Sequence, residues 1–496
     1  MHRALHICEI LLEIFAYVNT VRNRTFYHRP AFVRKSLAAL AVTCKTFYEP
    51  AMNELWAVMF GLTPLLGCVT RLHPIIYCSD REFSLFTHPS FQDIKPLSEN
   101  EGRQFLRHAA RVRSIHVLAR DDCYHLLSVL KCRVPCMFPR LLSLRNPCPE
   151  TRSDIFLSPT LRHCDLWVAY GDLKVIATHC AALEHISLAN TEWNIENEPS
   201  LLSDCVRLCK RLVTLSCSPL DLAAWKHLSN LPTLIEVEID RRKIDPSSLD
   251  LENNFDFGPF LNLTALSFNV NTAAYITGLM QYSDFPSLKQ FKIRVNRLSW
   301  AEAERLVHVL SKCKARHTLE QIEMEGRASD VQDPPRSSII HFCCFTQLRI
   351  LSLNFPRCCI HLDNDLLLEC MSSWPHLRVL NLQDSNQDQS TITFRGLFAA
   401  LHQCPHLHTL DLLIDAVNID INPTGESFRH LSLQRWDVLS GQVMDPKAVA
   451  HIIFSMLPCV EIFYKTHSFM SMSSSPPYAW PDVQRRLWSL HEAAGT

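Results

Sequence analysis

Cysteine and histidine are the most abundant chemistry-capable residues of unusual frequency in this chain, at 21 and 24 copies. Both bind zinc, and both serve in nucleophilic catalysis, so their spacing is the first test. Cys132 and Cys136 stand four apart, Cys343-Cys344 and Cys358-Cys359 are adjacent pairs, and His163-Cys164 and His179-Cys180 abut. A structural zinc site needs one close ligand pair answered by a second, as in C-x2-C followed by C-x2-C or H-x3-H, and no such array occurs. No metal ligand and no cofactor is assigned. A Cys–His nucleophilic pair meets in space and leaves no fixed spacing. No local motif supports one, no acidic pair falls in an acid/base motif, and no catalytic residue is assigned. Phosphate-cradling loops are also missing: glycine numbers only 11, with no G-x-x-x-x-G-K-[ST], G-x-G-x-x-G or G-x-S-x-G.

Without such chemistry, the cysteines read as small apolar residues. They are scattered and odd in number, and a chain of 496 residues can build its core without disulfides. Glu9 and Glu13 interrupt the apolar N-terminal run, against a secretory leader. The expectation is a cytoplasmic or nuclear protein with reduced thiols. A formal charge of −1 gives no bulk attraction to nucleic acid or to an anionic membrane. The longest uncharged run, Leu55 to Thr70, is short for a membrane span and contains Gly61 and Pro64.

The dominant organising signal is a repeat. Units of the form L-x-x-L-x-L occur at Leu183-Ile186-Leu188, Leu212-Leu215-Cys217, Leu234-Val237-Ile239, Leu263-Leu266-Phe268 and Leu288-Phe291-Ile293. They continue at Leu319-Ile322-Met324, Leu348-Leu351-Leu353, Leu377-Leu380-Leu382, Leu407-Leu410-Leu412 and Phe428-Leu431-Leu433. Weaker copies are Val112-Ile115-Val117, Leu141-Leu144 and Leu161-Cys164-Leu166, with a degraded one at Val460-Phe463. Spacings of about 20 to 32 residues belong to the leucine-rich-repeat length class. One such unit cannot bury its own apolar face, so neighbours stack. The fold class is α/β: a solenoid with a curved parallel sheet and outer helices, about 13 to 14 repeats over residues 98–465. Leu251 to Pro259 and Gly326 to Ser338 read as loops. Ser471 to Pro477 begins a flexible tail over 466–496, and Pro481 to Ala493 reads as a short capping helix with Leu487 and Leu490 inward.

Ahead of the array, Ile7, Ile10, Leu11, Ile14, Phe15 and Val18 repeat at helical spacing. A second helix is predicted from Leu37 with Ser36 as its N-cap, and a third from Pro50 at a first helical position. A basic insertion, Asn19 to Lys35, separates the first two. Residues 61–97 read as a linker, closed by a capping box in which Ser98 and Glu101 open a helix.

The run Ile7-Cys8-Glu9-Ile10-Leu11-Leu12-Glu13-Ile14-Phe15, the stretch Leu37 to Phe47 and the closing Leu55-Trp56 resemble an F-box, with Cys8 where that family usually has Pro. The order that follows, through Pro96-Leu97-Ser98-Glu99-Asn100-Glu101 to Ala110-Arg111-Val112-Arg113-Ser114-Ile115, is similar to basidiomycete-type (fungal) F-box proteins with irregular leucine-rich repeats. The resemblance implies an N-terminal three-helix F-box-like module over 1–60. It also implies a non-catalytic substrate-recognition adaptor of an SCF-type ubiquitin ligase, whose partners are the Skp adaptor and, through it, a cullin. Ile7, Ile10, Leu11, Ile14, Phe15, Leu40 and Trp56 are the residues it would present to the Skp adaptor. The alternative is a repeat scaffold in which the helices only cap the array.

The protein target would lie on the open strand face. Residues between the inward positions there form stripes of charge: Glu236, Glu238 and Asp240, then Lys292 and Arg294 beside Gln290, then Glu323 and Glu325 beside Gln321. Asn381, Gln383 and Asp411 follow. Such stripes suit an electrostatic docking surface, although Lys292 and Glu323 could simply neutralise each other across the strands.

Overall fold

The computed structural model describes residues 8–20, 31–77, 94–117, 123–131, 134–146, 153–167, 173–189, 198–240, 258–296, 298, 300–326, 338–355, 362–383, 390–422, 428–439, 441–464 and 479–495. Ile7, the centre of the basic insertion, most of the two loops and Ser471 to Pro477 lie outside the described residues. The chain divides into two compact units, Met1–Ala224 and Trp225–Thr496.

The first unit opens with three helices, α1 (Cys8–Thr20), α2 (Ala31–Thr43) and α3 (Lys45–Trp56). Leu11, Phe15, Val33, Leu37, Ala41 and Ala51 form their shared core, with Leu40, Phe47, Tyr48, Met52 and Leu55 packed around it. Phe15 meets Phe47 edge-on at 5.7 Å. The helix limits differ from the sequence expectation. α2 starts six residues before Leu37, because Val33 is apolar and buried in the core; Ser36 is therefore inside the helix and caps nothing. α3 starts at Lys45, where extended Cys44 breaks the chain direction. Pro50 lies inside α3, and having no N–H it leaves the Thr46 carbonyl without its usual helical donor.

The strands of this unit are β1 (Val58–Phe60), β2 (Ser114–His116), β3 (Ser143–Asn146), β4 (His163–Trp167), β5 (His185–Ala189) and β6 (Thr214–Cys217). Each pairs in parallel with the next. β1 was not legible as a repeat: it has three residues and one inward side chain, Met59. The segment after it is not a linker in its first part. Leu62, Leu65, Leu66, Val69 and Leu72 are fully buried, so the uncharged run serves as the returning half of the first repeat. The Ser98–Glu101 capping box is formed as expected, opening the helix Glu99–Ala109.

The second unit holds β7 (Glu236–Asp240), β8 (Ala265–Val270), β9 (Gln290–Val295), β10 (Gln321–Gly326), β11 (Ile350–Asn354), β12 (Val379–Gln383), β13 (Thr409–Asp411), β14 (Arg435–Asp437) and β15 (Glu461–Phe463), again all parallel neighbours. Inward positions match the leucine pattern from β7 to β13: Val237, Leu266, Phe291, Ile322, Leu351, Leu380 and Leu410 share one register row and are all fully buried. The last two frames are corrected. Leu431 is 65% exposed, and the inward residue of β14 is Trp436, in a frame Leu433-Trp436-Val438. In β15 the inward residue is Ile462, one position from the expected frame, and Val460 and Phe463 are half-buried. A one-residue slip exchanges the two faces of a strand, so these shifts decide which side chains reach solvent.

One backbone device recurs in both units. Through most of each unit, the carbonyl of the residue before a strand accepts two successive amides at the start of the next strand. Arg113 O receives Leu142 and Ser143, Arg162 O receives Glu184 and His185, Glu320 O receives Arg349 and Ile350, and His408 O receives Gln434 and Arg435. Three residues before many of the repeat leucines stands an aromatic or a cysteine, as at Phe138, Cys180, Cys209, Phe260, Phe285, Phe345, Trp374 and Cys404. Phe260 stacks on Phe285 at 5.0 Å in the second unit; in the first, Phe138 stacks at 5.5 Å on Phe156, which stands five residues before Leu161 because Ser158 holds the third place. Cys404, at that third place, donates backwards one repeat, Sγ to Met371 O at 3.3 Å, whereas Cys209 donates within its own repeat to Cys205 O. The helix Trp480–Gly495 closes the second unit. Trp480, Val483 and Leu487 are buried, Leu490 is partly so, and the Trp480 indole donates to Gly441 O at 2.7 Å.

Candidate functional site

In the second unit, strand alternation directs Glu236, Glu238 and Asp240 outward, and all three are exposed. Their register partners on β8 are Ala265, Ser267 and Asn269, which carry no charge. The basic stripe of β9 is different. Lys292 sits opposite Glu323 and Arg294 opposite Glu325. The pairs close, Lys292 Nζ to Glu323 at 3.5 Å and Arg294 Nε to Glu325 at 2.6 Å. Just before these strands, Glu320 lies between Lys289 and Arg349, each at 3.3 Å. The β9 and β10 stripes thus neutralise each other rung by rung. Further along the same face Asn381, Asp411 and Asp437 share a register row, with both aspartates under one tenth exposed. Arg435 lies over the Phe463 ring at 4.4 Å.

The first unit carries a second set of outward residues that the sequence reading did not single out. His163 and His185 occupy equivalent positions on β4 and β5 and stack nearly parallel, centroids 4.3 Å apart. His185 Nδ1 bonds Thr214 Oγ1 at 2.8 Å. Burial and the neighbouring His163 pull the His185 pKa down, against an opposing pull from Glu184. Beside them Arg145 pairs with Asp165 at 3.0 Å, and Glu184 draws Arg162 and Arg211 at 3.7 and 3.8 Å. The signal was present in the sequence: Leu161-x-His163 and Leu183-x-His185 place histidine two residues after the repeat leucine in consecutive repeats, which stacks the rings.

The helical module separates its apolar residues into two groups. Leu11 and Phe15 are consumed by the core, each 2% exposed, and Leu40 packs against that core. Ile10, Ile14 and Tyr17 remain at the surface, at 37%, 42% and 74% exposed, and Val42 on α2 reaches 85%. Trp56 faces inward along the chain: its ring stacks on His108 at 4.6 Å. Around that stack Arg111 is held by Glu49 and Asn53, each at 2.6 Å, and Arg113 reaches Glu54 at 3.4 Å. Trp56 thus joins α3 to the first repeat helix.

Among the described residues no group of three or more His, Cys, Asp or Glu side chains converges in a way that could hold a metal ion, and no helix is long and apolar enough to cross a membrane. The described cysteines are free thiols. Burial pushes the Cys180 and Cys313 thiols up to about 11 and Cys404 to about 12, which keeps them protonated and poorly nucleophilic.

One parallel strand per repeat, leucines inward and a returning segment of helix or turn between strands define a leucine-rich-repeat protein of the α/β solenoid class. No family profile matches the sequence, and no curated protein matches it. Solved structures do. An internalin from Listeria monocytogenes aligns at TM-score 0.35 and 12% identity, over 74% of this chain and 89% of that one. The APL1 leucine-rich repeat domain aligns at 0.32 and 14%, over 75% and 84%. The Toll–Spatzle complex, titled a molecular hub in Drosophila development and innate immunity, aligns at 0.27 and 13%, over 77% and 62%.

Proposed function

We propose that this chain is a non-catalytic substrate-recognition adaptor of an SCF-type ubiquitin ligase, acting in the cytoplasm or nucleus. In this reading the three-helix F-box-like module docks the Skp adaptor and, through it, a cullin, and the repeats hold a protein target. The observation that carries the reading is the uncovered apolar stripe of α1. Ile10, Ile14 and Tyr17 recur at i, i+4 and i+7 outside a core already satisfied by Leu11 and Phe15. A helix that displays such a stripe to water is suited to a partner's groove. The adaptor does no chemistry; it raises the local concentration of target lysines near a ubiquitin-loaded enzyme.

The open strand faces supply the target site. The exposed face of β7, with Glu236, Glu238 and Asp240, and the ladder of Lys292, Arg294, Glu323 and Glu325 are the part of those faces assigned to the target. The stacking of Trp56 on His108 favours a second role for the module, as the cap of the first repeat. That role alone, without a ligase link, is the alternative reading.

Co-elution of the full chain with a purified Skp adaptor on size exclusion tests the proposal. The unaltered chain is expected to form a complex at micromolar concentration. Ile10→Asp with Ile14→Asp is expected to abolish the complex while leaving the thermal melt unchanged. A chain that never co-elutes, or a double variant that binds as well as the original, removes the ligase reading and leaves the scaffold.

A further inference from the structure

Most described thiols that make a hydrogen bond give it to a backbone carbonyl, but two pairs of thiols meet each other. Cys205 and Cys209 lie four residues apart on one stretch of chain, and both are buried. Cys343 and Cys370 come from different repeats. Cys343 belongs to the 3-10 turn Ser338–Cys344, and Cys370 to the helix Asn364–Ser373 of the next repeat. Their Sγ atoms are 3.3 Å apart. Cys370 is 1% exposed, Cys343 is half-buried, and Cys344 beside it is exposed. The pair is thus closed on one side by the core and open on the other to a small solute.

We propose that Cys343 and Cys370 are a redox modification site, forming a reversible disulfide that staples two consecutive repeats when the chain meets a peroxide.

The geometry needs little adjustment. A disulfide holds its sulfurs about 2.05 Å apart, so each Sγ moves by about 0.6 Å. The order of events follows access and acidity. Sharing a proton with Cys370 holds the Cys343 thiol below its usual range and raises that of Cys370. Cys343, half-buried where Cys370 is 1% exposed, is the sulfur a peroxide can reach and therefore the attacking one. Its thiolate displaces hydroxide from hydrogen peroxide, giving a sulfenic acid on Cys343. The Cys370 sulfur then attacks the sulfenic sulfur. The S–S bond forms, and the sulfenic hydroxyl leaves with the Cys370 proton as water. In sum two thiols and one peroxide give a disulfide and two waters; the sulfurs lose two electrons and the peroxide gains them. Cys313 and Cys404 stay out of this chemistry, because burial keeps them protonated and their thiols are bound to carbonyls.

Brief peroxide treatment of the full chain, alkylation of remaining thiols, digestion without reductant and mass spectrometry test the proposal. The expected product is a linked peptide pair joining Cys343 to Cys370, lost on adding dithiothreitol. Cys370→Ser is expected to stop at a sulfenic acid on Cys343, captured by dimedone. Cys343→Ser is expected to leave Cys370 unmodified. Cys370→Ala replaces Cys370→Ser if the serine variant does not fold. The oxidised chain should also melt at higher temperature than the reduced one, a difference that Cys343→Ser abolishes. Full alkylation of both cysteines after peroxide, or a linkage through Cys344 in place of Cys343, overturns the proposal.

Discussion

Replacing Trp480 by alanine should open the end of the repeat array without unfolding the whole chain. The indole is 1% exposed, meets Trp436 edge-on at 6.2 Å and donates to Gly441 O at 2.7 Å. Truncating a buried Trp to Ala costs roughly 3–5 kcal/mol, cavity included. The edge-on ring pair accounts for about 1 kcal/mol of that, and the hydrogen bond for a similar share. Val483 and Leu487 remain to hold the helix Trp480–Gly495, so the loss falls on one contact among three. In a repeat array stability is a sum of neighbour terms, and the damage stays near the end. An expected loss of about 4 kcal/mol corresponds to an increase of roughly 10³-fold in local opening. Hydrogen exchange read by mass spectrometry should therefore show faster exchange in peptides covering β14, the helix Pro446–Met456 and β15, with β8 to β11 unchanged. Trp488→Ala is the control, since that ring is 66% exposed and its loss should cost under about 0.5 kcal/mol. Equal losses from the two variants, or exchange that rises uniformly across the second unit, would refute the capping argument.

Three further outcomes are expected. The Arg71 guanidinium, and then the Ser98 amide, hold the Glu101 carboxyl at about 2 against an ordinary value near 4.5. Because its folded pKa is depressed, this group's stabilisation is complete above pH 4.5 and is lost as pH falls from there towards 2; Glu101→Gln should flatten the acid side of a stability profile by circular dichroism. Gly396→Ala, normally favourable in a helix, should instead destabilise by about 1–3 kcal/mol in chemical denaturation. Its Cβ would fall 1.9 Å from Asn364 Oδ1, which accepts the Thr393 amide at the cap of that helix. A double-mutant cycle on Arg294 and Glu325 should give a coupling of at most about 1 kcal/mol in thermal melts, since both side chains are about half exposed; a larger value contradicts the view that the pair is ordinary surface neutralisation.

How much was legible can be judged from particular residues. The frames from Leu183 to Leu407 were readable because nearly every inward place is filled by a large apolar residue at fixed spacing, Cys217 being the small exception. The β14 frame was not, since Phe428, Leu431 and Leu433 fit the same template as Leu433, Trp436 and Val438, and it is pairing with β13 and β15 and packing against Trp480 that go with the second. β1 was invisible because a three-residue strand with one inward side chain has no periodicity. The charge stripes were readable, and the aligned repeat frames already set Lys292 opposite Glu323; the same register, two residues on, pairs Arg294 with Glu325. The apolar stripe of α1 was found as one set. Its division into buried Leu11 and Phe15 and exposed Ile10 and Ile14 was not, because six apolar positions on a helix span more than the face α2 and α3 can cover.

The shared carbonyl has a meaning for descent. Through most of each unit, a repeat offers the same acceptor to its successor and presents the same two amides to its predecessor. A gene segment encoding one whole unit can therefore be copied or excised, and the new neighbours meet on compatible backbone. The loss of a single codon within a strand has no such remedy, since it turns leucines outward. A lineage built this way is free to lengthen or shorten in whole units and to vary its exposed letters, while its internal leucines stay locked in phase.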